Sequence, residues 1–196
     1  MNDTPRVILA STSRYRAELL ARLLADFTRV APDVDETPLA GEAPAARALR
    51  LARAKASAVA RAAGPGAIVI GSDQVAALGT ALLRKPGSAE CARAQLAASS
   101  GRTVHFHTAL CVIATTSGTE HTHLDTTKVH FRALDAAEIA RYVAREQPLD
   151  CAGSFKCEGL GIALFEALAS DDPTALIGLP LVALARLLRE SGIAVP

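Results

Sequence analysis

The run Ala67-Ile68-Val69-Ile70 constrains the fold more than any other stretch. Unbroken apolar residues rich in β-branching suit a strand covered on both faces of a sheet, where neither side presents a polar group. Gly71 interrupts the run and Ser72, Asp73 and Gln74 follow at once. A glycine there is expected to let the backbone leave the sheet, which would put the Asp73 carboxylate at the carboxyl end of a core strand, where open α/β sheets bind ligands. Taken alone, Gly-Ser-Asp also reads as an ordinary turn or cap.

A chain of 196 residues suits one domain or two small lobes and buries roughly 70% of its unfolded surface. Half of the residues are hydrophobic and only 4% aromatic, so an aliphatic core is expected, with the many alanines favouring helix. With 21 basic and 20 acidic residues, net charge +1, there is no general electrostatic case for nucleic-acid or membrane binding; an anion site has to be a local cluster. No apolar run approaches the ~18 residues of a membrane span and Met1–Arg6 has no leader pattern, which points to a cytoplasmic protein. Cys91, Cys111, Cys151 and Cys157 lack CxxC spacing and suit reduced thiols better than a disulfide framework or a zinc site.

Val7-Ile8-Leu9-Ala10 reads as a second strand, followed by Ser11-Thr12-Ser13-Arg14-Tyr15-Arg16 and a helix with Leu19, Leu20, Leu23 and Leu24 on one face. Hydroxyls and guanidinium groups beside a helix start can hold a phosphate, or be a plain N-cap with solvated arginines. Phe27–Val30 is expected to return as a strand beside the first. Residues 32–38, Pro-Asp-Val-Asp-Glu-Thr-Pro, form an acidic loop that could share a hard divalent cation with substrate phosphates, or be a solvated turn. A helix from Pro44 to about Ala63 should bury Leu49, Ala52, Ala56 and Val59, leaving Arg47, Arg50, Arg53 and Lys55 mostly outward.

Beyond residue 80 the pattern gives a short apolar piece at Leu82-Leu83, a helix from Ser88 to about Ser99, and a long hairpin, Val104–Ala114 and Glu120–Arg132, turning at Ser117-Gly118. The paired histidines 105/107 and 121/123 each share a strand face, but no carboxylate or cysteine accompanies them at ligand spacing. Asp135 opens a helix burying Ile139, Tyr142 and Val143. The loop Leu149–Gly159 is either a substrate clamp or a connection; a strand at Ile162–Phe165 and a helix burying Leu181, Leu184, Leu187 and Leu188 complete the chain.

Seven segments in order resemble the Maf family of nucleoside triphosphate pyrophosphatases: Ile8–Ser13 with Arg16, Leu19 and Leu20; Val34-Asp35-Glu36; Ala54-Lys55-Ala56; Gly71–Val75; Lys85-Pro86; Ser100-Gly101 with Thr108; and Ala152-Gly153 through Glu158-Gly159. The resemblance implies an elongated α/β fold of the Maf/ITPase type over residues 1–196, a twisted mixed sheet flanked by helices, with two lobes, a central cleft and no separable linker. It implies hydrolysis of a nucleoside triphosphate to monophosphate and diphosphate with a divalent cation, Mg2+ or Mn2+. Carried over by position, Asp73 is the catalytic carboxylate, Ser11, Ser13, Arg16, Lys55 and Lys85 bind phosphate, and Glu36 with Asp73 lies on the metal side. By analogy with relatives a homodimer is plausible.

The branch associated with dTTP and UTP usually has Ala-Asp-Thr where this chain has Ser72-Asp73-Gln74, and a lysine where it has Cys151. Gly-Ser-Asp-Gln-Val, Ser154-Phe155-Lys156 and Glu158 match instead the branch that resembles 7-methyl-GTP pyrophosphatases. There Tyr15, Gln74 and Glu158 fall on the specificity positions, where an aromatic ring, an amide and a carboxylate would suit a cationic methylated guanine. The competing expectations are another triphosphate as substrate, or a nucleotide-binding regulator of cell division with little hydrolysis.

Overall fold

A computed structural model describes residues 5–196. In chain order its elements are β1 (Arg6–Ala10), α1 (Arg14–Leu20), β2 (Thr28–Arg29), α2 (Pro44–Ala63), β3 (Ala67–Leu78), β4 (Ala81–Leu83), α3 (Ala89–Ser99), β5 (Thr103–Ala114), β6 (Thr119–Phe131), α4 (Ala136–Glu146), β7 (Phe165–Ala169) and α5 (Leu181–Glu190). The strands form one seven-stranded mixed sheet in the order β2-β1-β3-β5-β6-β7, with β4 also on β3. The chain divides into two compact units: residues up to Gln74, Thr108–Asp125 and Asp172–Pro196 in the first, and Val75–His107 with Thr126–Asp171 in the second.

In the first unit, β1 lies parallel to both β2 and β3, with Ile8 opposite Val69 and Ala10 opposite Gly71. Thr115 N donates to Ala67 O, while the Gln74 amide reaches Thr108 at the other end, so β3 and β5 run in opposite directions here. Leu9, Leu19, Leu20, Ile70, Leu110 and Leu184 belong to its aliphatic core, as the composition implied. α1 is shorter than its leucine pattern: the helix stops at Leu20, and Leu23 and Leu24 pack on the core from beyond it. The strand expected over Phe27–Val30 shrinks to two residues.

Two expectations about this unit are corrected. β3 does not end at Gly71; it continues through Ser72, Asp73 and Gln74 to Leu78. The missing side chain serves close approach rather than departure, because a Cβ at Gly71 would stand 2.4 Å from Ala52 O and 2.7 Å from Ala56 N of α2. Asp73 therefore lies within a strand, although two residues beyond the point where parallel pairing with β1 ends. In α2 the buried face is Ala48, Leu51, Ala52, Lys55, Ala56 and Val59, which keeps the three-and-four spacing of a helix stripe. Lys55 falls on that stripe, and Leu49 is only half-buried.

The second unit has a different core. Four of the chain's five phenylalanines meet there: Phe155 packs edge-on against Phe106, Phe131 and Phe165 with ring centroids 4.7–5.6 Å apart. α4 begins with a capping box, Asp135 accepting from Glu138 N while the Glu138 side chain accepts from Asp135 N, and it buries Ile139, Tyr142 and Val143. The strand expected at Ile162–Phe165 is instead a 3-10 turn over Leu160–Leu164, and β7 starts at Phe165. The turn is fixed by Glu146, which accepts from Leu160 N at 2.9 Å, and by Gly161 N donating to Lys156 O, which leaves Ile162 58% exposed. Among the described residues no helix is long and apolar enough to cross a membrane.

Candidate active site

The close packing of α2 on β3 at Gly71 brings one helix side chain onto the strand. Lys55 Nζ donates to Asp73 Oδ1 at 2.6 Å and lies 2.7 Å from Glu36 Oε1. Lys55 and Asp73 are each only 7% exposed, and a pair this enclosed persists because each charge has the other. Glu36 comes from the acidic loop and is more open. Burial pushes its carboxyl up, but the Lys55 ammonium, with Arg16 and Arg47 at longer range, more than offsets this and holds it below the usual range.

Arg16 completes the charge cluster. Its Nε donates to Gly178 O at 3.0 Å and its Nη1 to Ser11 Oγ at 3.5 Å. Enclosure lowers the guanidinium pKa and the fields of Asp73 and Glu36 raise it, so Arg16 stands within electrostatic reach of both carboxylates. Ser72 Oγ donates to the same Gly178 carbonyl, tying β3 and α1 to one turn. Ser13 is the N-cap of α1, its Oγ accepting from Arg16 N. Sequence reasoning missed two arginines of α2: Arg47 Nη2 donates to Glu36 O and its buried Nη1 has no acceptor among the described residues, while Arg50 grips Glu42 through two nitrogens. The charge run on the helix was the available signal.

Of the proposed base-reading residues, Gln74 is next to Asp73 on β3. Its Nε2 donates to Thr108 Oγ1, Ala175 O and Leu176 O, each at 3.0 Å, which fixes the amide orientation and leaves Oε1 as the atom available to a ligand. An acceptor in that place suits the N–H edge of a guanine. Tyr15, half-buried on α1, has the Arg14 guanidinium 4.7 Å from its ring centroid and accepts from Arg14 Nη2. The ring already stacks with a cation.

Lys85 and Glu158 belong to the second unit, and both are exposed. Glu158 Oε2 accepts from Cys157 Sγ at 3.4 Å; burial, then the Glu158 charge and that bond, push the Cys157 thiol up to about 12. None of the four cysteines is joined in a disulfide among the described residues. No group of three or more His, Cys, Asp or Glu suited to a metal is found among the described residues. His105 and His107 stack with centroids 6.3 Å apart, and burial lowers the His107 pKa. Glu36 and Asp73 converge on the Lys55 ammonium, and two carboxylates are the donor type that a hard cation sharing its shell with phosphate uses.

The buried Asp73 carboxylate on a central strand thus stands beside the buried Lys55 ammonium, the half-buried Arg16 and the Ser11 hydroxyl, a polar cluster of the kind that can orient a charged ligand. The profile of the family described as Maf-like protein matches residues 6–191, and the chain belongs to that family. It is 60% identical over 192 residues to a 7-methyl-GTP pyrophosphatase of Xanthomonas oryzae pv. oryzae (strain MAFF 311018), covering 98% of this chain and 100% of the relative. It is 57% identical over 193 residues to a protein of the same name from Burkholderia thailandensis, covering 97% and 90% of the two chains. Among solved structures, the Staphylococcus aureus Ham1 protein superposes with a TM-score of 0.53 at 15% identity over 94% of this chain and 98% of its own, a likeness of fold.

Proposed function

We propose that this chain is a cytoplasmic pyrophosphatase that cleaves 7-methyl-GTP to 7-methyl-GMP and diphosphate and so clears a modified nucleotide. The observation that carries the reading is the Lys55 ammonium held between Asp73 and Glu36, with Arg16 and Ser11 beside them. The names of relatives at 57–60% identity support the substrate. The absence of a disulfide among the described residues suits a reducing compartment.

In this reading Ser11, Ser13, Arg16, Lys55 and Lys85 neutralise the polyphosphate, and Asp73 takes the proton of the water that breaks the bond between the α- and β-phosphates. General-base help of this kind is worth roughly 10²–10⁴ in rate, and cations aimed at the leaving diphosphate supply much of the rest. Lys55 engages Asp73 Oδ1 and so orients the carboxylate. Glu36 and Asp73 would hold a magnesium or manganese ion, whose contribution when bound is to offset charge on the phosphate oxygens. Tyr15, Gln74 and Glu158 select the base: ring and carboxylate favour the cationic methylated guanine, and Gln74 Oε1 accepts from its N–H edge.

Diphosphate release from 7-methyl-GTP, GTP, dTTP and UTP, each with and without magnesium or manganese, tests this. The reading expects the highest kcat/KM for 7-methyl-GTP in the presence of metal. Faster turnover of UTP than of 7-methyl-GTP would refute the specificity, and binding without turnover of any of them would make the protein a nucleotide-responsive regulator.

A further inference from the structure

The second unit contains a device that the chemistry of the first does not use. Residues 156–161 wind tightly around the last turn of α4: Lys156 N donates to the Tyr142 hydroxyl at 3.1 Å, Lys156 Nζ donates to Glu146 O at 3.2 Å, and Leu160 N donates to Glu146 Oε2 at 2.9 Å. The amides of Gly159 and Gly161 both turn back to Lys156 O. A Cβ on Gly159 would stand 2.9 Å from Glu146 Oε1, so the turn closes directly onto this carboxylate. Glu158 is the exposed apex of the turn.

We propose that Glu146 and Tyr142 are positioning residues for specificity: they fix the Glu158 carboxylate so that it discriminates the positively charged 7-methylguanine from unmethylated guanine. This rests on the reading of Glu158 given above. The physical basis is that an exposed carboxylate on a freely moving turn is screened and averaged over many positions, whereas one on a turn closed by these backbone bonds presents its charge at a fixed place. Tyr142 is buried with its hydroxyl aimed at Lys156 N, so both anchors lie on one face of α4.

The test is the ratio of kcat/KM for 7-methyl-GTP to that for GTP, measured on the full chain for Glu158→Gln, Glu146→Ala, Glu146→Gln, Gly159→Ala and Glu138→Ala. Glu158→Gln should lower the ratio about tenfold, equivalent to about 1.4 kcal/mol. Glu146→Ala and Gly159→Ala should lower it at least half as far on a logarithmic scale, and Glu146→Gln, which still accepts from Leu160 N, should restore it. Glu138→Ala breaks the capping box at the other end of α4 without touching the turn and should leave the ratio unchanged. If Glu158→Gln lowers the ratio while Glu146→Ala and Gly159→Ala do not, the positioning role is overturned and the reading of Glu158 stands. An unchanged ratio in Glu158→Gln overturns both, and an equal fall in Glu138→Ala reduces the effect to general loosening and overturns the positioning role. Should Glu146→Ala fail to fold, Gly159→Ala decides.

Discussion

Lys55 sits at 2.6 and 2.7 Å from two carboxylates, so its charge is the one whose loss the first unit should feel most. Lys55→Met leaves Asp73 enclosed without a partner, and removal of one member of a buried pair costs about 3–5 kcal/mol. Adding Asp73→Asn should recover part of that loss, and urea titrations of the two single variants and the double variant measure the coupling. Asp73→Asn by itself should lower turnover about 10²–10⁴-fold while nucleotide binding persists. Glu42 gives a second residue-scale prediction. Hydrogen bonds from Arg50, and to a smaller extent from Leu39 N, hold its carboxyl at about 2 against an ordinary 4.5. A depressed carboxyl contributes stability that is complete above its ordinary pKa and is lost as pH falls toward about 2. The difference in Tm between wild type and Glu42→Gln should therefore shrink steadily over that window. At this scale the charges were legible as residue types but not as directions. Lys55 reads as outward with the other charges of α2, and only the Asp73 and Glu36 partners, 18 positions later and 19 earlier in the chain, reverse that expectation.

Several elements lie where their period alone puts them. The stripe of Ile139, Tyr142 and Val143 on α4, the leucines of α5 and the hairpin turning at Ser117-Gly118 all lie where their spacing put them. Two apolar runs were misread for opposite reasons. At residues 67–78 a polar Gly-Ser-Asp-Gln insert looked like the end of a strand, yet β3 continues because pairing with β4 and β5 satisfies its backbone on the far side of the insert. At 162–165 an apolar run looked like a strand, but one carboxylate, Glu146 Oε2, holds the Leu160 amide in a turn. Gly71→Ala tests the first case. The added methyl would collide with backbone atoms of α2, which cannot rotate away, so a loss of about 1–3 kcal/mol or more is expected in thermal or urea unfolding. An unchanged midpoint would show that α2 yields readily.

On the scale of the whole chain, a net charge of +1 conceals a local concentration of opposed charges around Asp73, and composition alone gave no view of it. The two units also differ in kind: an aliphatic core in the first, and a phenylalanine cluster in the second that a 4% aromatic content concealed. The candidate metal ligands are two carboxylates that lysine already pairs, so the cation should serve turnover and not folding. Chelation with EDTA should abolish diphosphate release, magnesium or manganese should restore it, and the Tm of the nucleotide-free protein should stay where it was. A large fall in Tm on chelation would instead indicate a structural ion. The bare Cα of Gly71 has a consequence for descent as well as for folding. A side chain there would meet the main chain of Ala52 and Ala56, which no substitution on α2 can make smaller, so homologues should keep glycine at this position and with it the reach of the residue-55 side chain to its two acids.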